Sequence, residues 1–281
     1  MRKFPFLHLI LFVLTFFSTL AVGAMNVGVN ILDEPTKIYK GLPFSATLLI
    51  ILLSHEFSHF LSSKKHHVHA TLPYFIPAPT LFGTLGAFIK MKSPIQTKNA
   101  LMDIGASGPI AGFLVSLVAT TVGLFFSKVV PVTKTAGMIS LGDSLLFSGL
   151  TRLILGYVPR NYDVLLHPVA FAGWIGFFVT ALNLIPVGQL DGGHIVYALI
   201  GERHAKLSKV LIGVMIVLGL AVWEGWLVWA VILVILGFRH PPIIYADVPL
   251  DSKRRLIGWT AVIIFILTFI PVPITIVGEL G

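Results

Sequence analysis

His55, Glu56 and His59 are the residues of this chain best suited to chemistry, and they sit inside an apolar run that extends from Gly41 to Lys64. Histidines four residues apart on a helix share one face, where two imidazoles can grip a single Zn²⁺. The glutamate between them stands beside the metal position as a general base. Ionisable groups in a bilayer-length helix are costly, so they are expected to serve function and to face a wet cavity rather than lipid. A catalytic zinc needs a third protein ligand and an open fourth position. Asp191 is the candidate, an acidic residue in a glycine-rich turn just past Pro186. Taken alone it reads as an interfacial aspartate that caps the following helix; beside the HExxH pattern it reads as a ligand that the metal would neutralise.

The elements that must position these residues are membrane helices. The chain is 56% hydrophobic and 11% charged, with a mean hydropathy of +0.92, which is the composition of a polytopic helical membrane protein. We read 1–281 as a single membrane-embedded domain, because spans and short loops use up the 281 residues. Runs long enough to cross the hydrocarbon core occur at 4–24, 43–63, 105–127, 164–187 and 255–277. The stretch 207–238 is divided by Trp223-Glu224-Gly225-Trp226, which resembles a hairpin turn at a headgroup layer. The expected fold is therefore all-α with six to seven transmembrane helices. With seven spans and the N-terminus inside, 14 of the 20 Lys and Arg fall on the cytoplasmic side; with six spans they divide 10 and 10. The positive-inside rule thus favours seven. It also accounts for the net charge of +8 without a nucleic-acid partner. The run 1–24 is read as the first span, with a cleavable signal peptide as the alternative.

Segment 71–92 is apolar, but Pro73, Pro77 and Pro79 interrupt helical hydrogen bonding. A re-entrant loop or β-hairpin beside the active site is expected there, because irregular backbone at membrane depth must line a cavity or be covered. Gly108 and Gly112 form a GxxxG, read as a helix-packing device. His66, His67 and His69 follow Lys64 and Lys65 and read as a solvated basic face rather than a metal site. His194 reads as a neighbour of the ligand Asp191 and not as a ligand. The absence of cysteine excludes thiolate ligands and a cysteine nucleophile.

Two motifs, His55-Glu56-x-x-His59 and Asn183-x-x-Pro186-x-x-x-Leu190-Asp191-Gly192, together resemble the site-2 protease family of intramembrane zinc metalloproteases, peptidase family M50. The similarity runs from about 43 to 238 and includes the FGTLGAFIKM and GASGPIAGF segments. The resemblance implies that His55, His59 and Asp191 hold one Zn²⁺ per chain, that Glu56 is the catalytic base, and that Asn183 holds substrate or intermediate. It implies a substrate-binding hairpin, for which Gly83, Gly86 and Phe88 are the candidates. Some members carry a PDZ or CBS domain, and none is expected here.

The resulting expectation is hydrolysis of single-span or membrane-anchored proteins within or near the bilayer of a cell membrane, with a cytoplasmic N-terminus and the site toward the cytoplasmic side. His55 lies about eight residues from the inner helix end, roughly 12 Å at 1.5 Å per residue. A divalent-metal transporter is the alternative; flux that survives Glu56→Gln would distinguish it.

Overall fold

The computed structural model describes residues 5–132 and 138–277. In chain order these form α1 (Phe6–Asn26), a short 3-10 helix (Pro35–Gly41), α2 (Leu42–Lys65), β1 (Tyr74–Pro77), β2 (Thr84–Phe88) and α3 (Lys98–Phe125). Next come β3 (Lys128–Pro131), β4 (Met138–Leu141), α4 (Leu145–Leu155), β5 (Tyr162–Leu165) and α5 (Pro168–Asn183). The remainder is α6 (Asp191–Ile200), α7 (Arg203–Ala221), α8 (Gly225–Leu236), α9 (Ser252–Thr268) and β6 (Ile274–Val277). The chain divides into two compact units, 1–93 with 111–132 and 149–179, and 94–110 with 133–148 and 180–281.

In the first unit, α1 and α2 approach closely because glycines face each other. A Cβ on Gly41 would lie 2.0 Å from the Leu20 carbonyl oxygen, and one on Gly23 would lie 2.7 Å from the Gly41 carbonyl oxygen. The Thr19 and Ser45 hydroxyls, both fully buried, meet at 2.6 Å across this contact and satisfy each other. A second small-residue seam joins α3 to α5. Ser116, Thr120 and Gly123 of α3 face Gly176, Gly173 and Ala170 of α5, with no room for a side chain at any of the three glycines. Such seams replace the hydrophobic drive that lipid cannot supply. The outer faces keep large apolar side chains exposed, among them Phe6, Leu14 and Phe17 of α1 and Leu114 and Val118 of α3.

The segment expected to be irregular is a hairpin. β1 pairs antiparallel with β2, setting Tyr74 opposite Phe88 and Phe75 opposite Ala87. β1 packs on α1: Phe75 meets the Phe12 ring edge-on at 5.1 Å, and His8 Nδ1 lies 3.1 Å from the Pro73 carbonyl oxygen. The hairpin tip is pinned at Phe82, whose ring is 6.5 Å from Phe171, Trp174 and Phe178 of α5. Ser18 Oγ donates to the Gly83 carbonyl oxygen at 2.6 Å.

In the second unit, α7 and α8 are consecutive helices broken at Val222–Glu224, as the Trp-Glu-Gly-Trp pattern led us to expect. Trp226 is buried and donates Nε1–H to the Pro271 carbonyl oxygen at 2.8 Å. α9 opens on Asp251, whose carboxylate accepts the Arg254 backbone N–H at 2.8 Å, and the Arg254 guanidinium forks onto Asp103 at 2.7 and 2.8 Å.

Strands amend the all-α expectation. Besides the hairpin, the described residues form two further two-stranded antiparallel ladders, β3 with β5 and β4 with β6, neither of them foreseen. They are four residues long, too short for periodicity to separate them from loop. The run 255–277 is not one helix, because Pro271 and Pro273 stop it: α9 ends at Thr268 and β6 follows. Among the described residues, four helical segments can cross a membrane by length and composition: Phe6–Asn26, Pro35–Lys65, Lys98–Phe125 and Arg203–Ala221. α4, α5 and α8 are shorter apolar helices.

Candidate metal centre and hydrolytic site

α2 begins with Pro43 in its first turn and ends with Lys64 and Lys65 in its last, the arrangement that a fixed φ and the helix dipole favour. Its helical repeat places His55 and His59 on one face. Both are buried, at 4% and 5% exposure, as is Glu56 at 6%. The two Nε2 atoms face each other at 3.1 Å. Two nitrogens on a tetrahedral zinc, each about 2.05 Å from the metal, stand roughly 3.3 Å apart, so the pair has the spacing that a shared ion requires. Glu56 Oε1 is 4.0 Å from His55 Nε2. That gap exceeds a direct hydrogen bond and suits one bridging water.

Gly112 has more than the packing role its GxxxG suggested. It lies in the same unit as α2, directly under the His55 ring: a Cβ there would be 3.1 Å from Nδ1 and 3.3 Å from the His55 Cβ. The glycine therefore sets how far the imidazole can retreat toward α3.

Asp191 is the first residue of α6, in the second unit, and is half-buried. Its turn leaves α5 at Asn183, also half-buried, and tightens through Ile185 N–H to the Leu182 carbonyl oxygen at 3.2 Å and Val187 N–H to that of Ile185 at 2.8 Å. Gly188 takes φ +58 against the Gly237 carbonyl, a conformation that L side chains resist. A Cβ at Gly192 would lie 2.0 Å from the Leu184 carbonyl oxygen. The DGG sequence is thus the condition for folding α6 back onto the turn that carries Asp191.

One helical turn beyond Asp191, His194 enters a cluster that sequence reasoning did not find. Its Nδ1 lies 2.6 Å from His240 Nε2, and His240 Nδ1 lies 2.6 Å from the Pro241 carbonyl oxygen. A carbonyl only accepts, so the proton is on His240 Nδ1. Burial pulls the His240 pKa below its ordinary value, which favours the neutral ring. His240 Nε2 is then an acceptor, and His194 Nδ1–H donates to it. Tyr197 stacks on the His240 ring at 4.3 Å and donates to Glu202 Oε1 at 2.8 Å. Burial, then that hydrogen bond, push its phenol up to about 12. The sequence signal for this cluster was a histidine directly before Pro241-Pro242.

Of the candidate substrate residues, Gly83 is buried with φ +76 against Ser18 and Thr19 of α1, so it shapes the hairpin turn. Gly86, φ +96, has open space where a side chain would stand, and Phe88 is 46% exposed and stacked on Tyr74 at 5.4 Å. His66, His67 and His69 lie at the end of α2 and beyond it, where His67 takes a left-handed φ of 56 as the helix unwinds.

The sequence profile of peptidase family M50 matches residues 43–222. The chain is 34% identical over 249 residues to "Probable zinc metalloprotease EGY1, chloroplastic" of Arabidopsis thaliana, covering 85% of this chain and 44% of that protein. Its rice counterpart (Oryza sativa subsp. japonica) is 33% identical over 257 residues, 87% of this chain and 43% of that one. "Probable zinc metalloprotease EGY2, chloroplastic" of Arabidopsis thaliana is 28% identical over 257 residues, 88% and 45%. The chain spans less than half the length of these relatives. The matched segment takes in α2 with its buried histidine pair, the hairpin, and the Asn183–Asp191 turn. On that match, which covers more than half of its residues, this chain belongs to peptidase family M50.

Proposed function

We propose that this protein is a zinc metalloendopeptidase that cleaves membrane-anchored proteins within or near the bilayer. The observation that carries the reading is the buried pair of imidazole nitrogens 3.1 Å apart on α2 with Glu56 beside them. His55, His59 and Asp191 each offer one ligand atom of a type that zinc accepts, two imidazole nitrogens and one carboxylate oxygen. In this reading the three would hold one zinc. When bound, zinc supplies Lewis acidity, which polarises the scissile carbonyl and lowers the pKa of water toward roughly 7.

The chain's own residues do the rest. Glu56 takes a proton from the attacking water as its oxygen bonds to the carbonyl carbon, then delivers that proton to the leaving amide nitrogen as the C–N bond breaks. Asn183 donates its side-chain amide to the oxyanion and holds the intermediate. No acyl-enzyme forms. A helical substrate hides its carbonyls in its own hydrogen bonds, so it must unwind before attack. The outer edge of β2, with Gly86 open and Phe88 exposed, accepts the unwound strand by β-addition, while Gly83 sets the turn that presents it.

The membrane arrangement in this reading is six to seven spans with 71–92 re-entrant, the N-terminus cytoplasmic, and the site toward the cytoplasmic side of a cell membrane. The positive-inside count, the lipid-like exposure of α1 and α3, and the four span-length helices support it. The test is cleavage of a panel of single-span proteins co-reconstituted with the enzyme in vesicles. Product that disappears with a zinc chelator, returns with added zinc and is missing for Glu56→Gln supports the reading. Zinc-loaded wild type that cuts nothing in the panel overturns it.

A further inference from the structure

The hairpin does not end where its strands are regular. Beyond β2 the ladder continues through Thr71 N–H to the Lys90 carbonyl oxygen at 3.0 Å, an antiparallel bridge between Ala70 and Met91, and Lys92 N–H to the His69 carbonyl oxygen at 2.7 Å. Phe88, Lys90 and Lys92 are exposed along it, with half-buried Ile89 and Met91 between them. Alternation puts the three on one side at intervals of roughly 6.7 Å. The same end of this unit receives the tail of α2. There Val68 N–H returns to the Ser63 carbonyl oxygen at 2.9 Å and leaves Lys64 and Lys65 exposed. No carboxylate occurs between Phe57 and Met102, and among the described residues none of these four lysines is in an ion pair. Among the described residues β2 pairs with β1 and with no other strand, and the other side of β1 is covered by α1.

We propose that Lys90 and Lys92, extended by Lys64 and Lys65, form a recognition strip that selects substrates bearing acidic residues at alternate positions in the segment flanking their span. This rests on the reading that β2 takes the substrate by strand addition. A strand added to that edge runs on past Phe88 in fixed register, so its side chains two residues apart meet the lysines at matching intervals. Main-chain pairing is the reason to assign the strip to a peptide: lipid headgroups have no register to read, and the lysine spacing follows the ladder. The strip also discriminates by repulsion. Most single-span proteins carry Lys and Arg on their cytoplasmic flank, and a like-charged flank is rejected at a wall of four unpaired lysines.

The experiment uses the full chain in phosphatidylcholine vesicles and three versions of one single-span protein, differing only in whether alternate flank positions carry Glu, Gln or Lys. Wild type is expected to favour the Glu flank over the Lys flank roughly tenfold in kcat/KM at low salt, the scale of two to three exposed charge pairs. The preference should lie in KM and shrink with added salt. Lys90→Glu/Lys92→Glu should reverse the order while its zinc content stays near wild type. In parallel, Glu56→Gln binds fluorescent versions of the same proteins, measured by anisotropy. That arm reads the strip without any cleavage, so a failed protease reading and a failed strip are distinguishable. Equal affinity for all three flanks, or an order unchanged by the reversal, overturns the proposal. So does a preference seen only when anionic phosphatidylglycerol is present, which would make the strip a lipid contact.

Discussion

Replacing Gly112 by alanine tests how tightly α3 confines the first histidine. The added Cβ would stand 3.1 Å from His55 Nδ1 and 3.3 Å from the His55 Cβ. Ordinary carbon–nitrogen contact begins near 3.4 Å, so the ring must give way by about 0.3 Å, whereas metal–ligand distances tolerate roughly 0.2 Å. His55 is on a buried helix whose neighbours Leu48, Ile51 and Leu52 are all 3% exposed or less, so α2 cannot translate to absorb the change. The ring tilts instead, and Nε2 leaves its 3.1 Å register with His59. Perturbing a partner that orients a ligand costs about ten- to a hundredfold in metal affinity, or roughly 1.4–2.8 kcal/mol. The control is Gly213→Ala on α7, where an added Cβ meets nothing within 4 Å. Zinc affinity of both variants is measured by competition with a chelator in detergent, with circular dichroism to confirm the fold. Unchanged affinity in Gly112→Ala, with both proteins folded, would refute the claim that this glycine positions His55.

Three further outcomes follow from the packing and the charges. Gly123→Ala drives a Cβ to 2.1 Å from the Ala170 backbone nitrogen; backbone cannot swing aside, so thermal unfolding in detergent should show a loss of roughly 1–3 kcal/mol. His240→Leu removes the acceptor of His194 Nδ1–H and should destabilise the second unit by roughly 1–3 kcal/mol, with His240→Gln, which keeps an acceptor, recovering most of it. The Asp251 carboxyl is held below its ordinary value of 3.8, first by the Arg254 backbone N–H and then by the Arg254 side chain and nearby positive charge. A depressed carboxyl gives stability that is complete above its unfolded pKa and is lost as pH falls through the folded one. Wild type should therefore lose unfolding temperature on acidification below about pH 4 more steeply than Asp251→Ala, and parallel curves would contradict the cap.

Much of this molecule is legible in its sequence because the strongest signals are local. His55 and His59 fall on one buried face because the helical repeat dictates it, with Glu56 buried beside them, and the prolines of 71–92 announce a non-helical segment that proves to be a hairpin. The Trp223–Trp226 pattern marks the helix break because a charge and a glycine between interfacial tryptophans suit a turn between two apolar halves. What stays hidden depends on which distant residue lies opposite. Gly112 reads as generic helix packing until the His55 ring is seen above it. His240 is 46 positions from His194, and nothing in its neighbourhood except Pro241-Pro242 hints at a partner. The β3–β5 and β4–β6 ladders are four-residue strands joined across long insertions, which local periodicity cannot register.

The proposed centre would have two imidazoles of α2 and the carboxylate of Asp191 serve one zinc. Zinc-edge X-ray absorption on the purified protein, together with zinc titration of Asp191→Ala, addresses it most directly. One zinc per chain with two imidazoles in its shell is expected, with one imidazole in His59→Ala and an affinity at least a hundredfold weaker in Asp191→Ala. Wild-type zinc affinity and an unaltered metal shell in Asp191→Ala would contradict it.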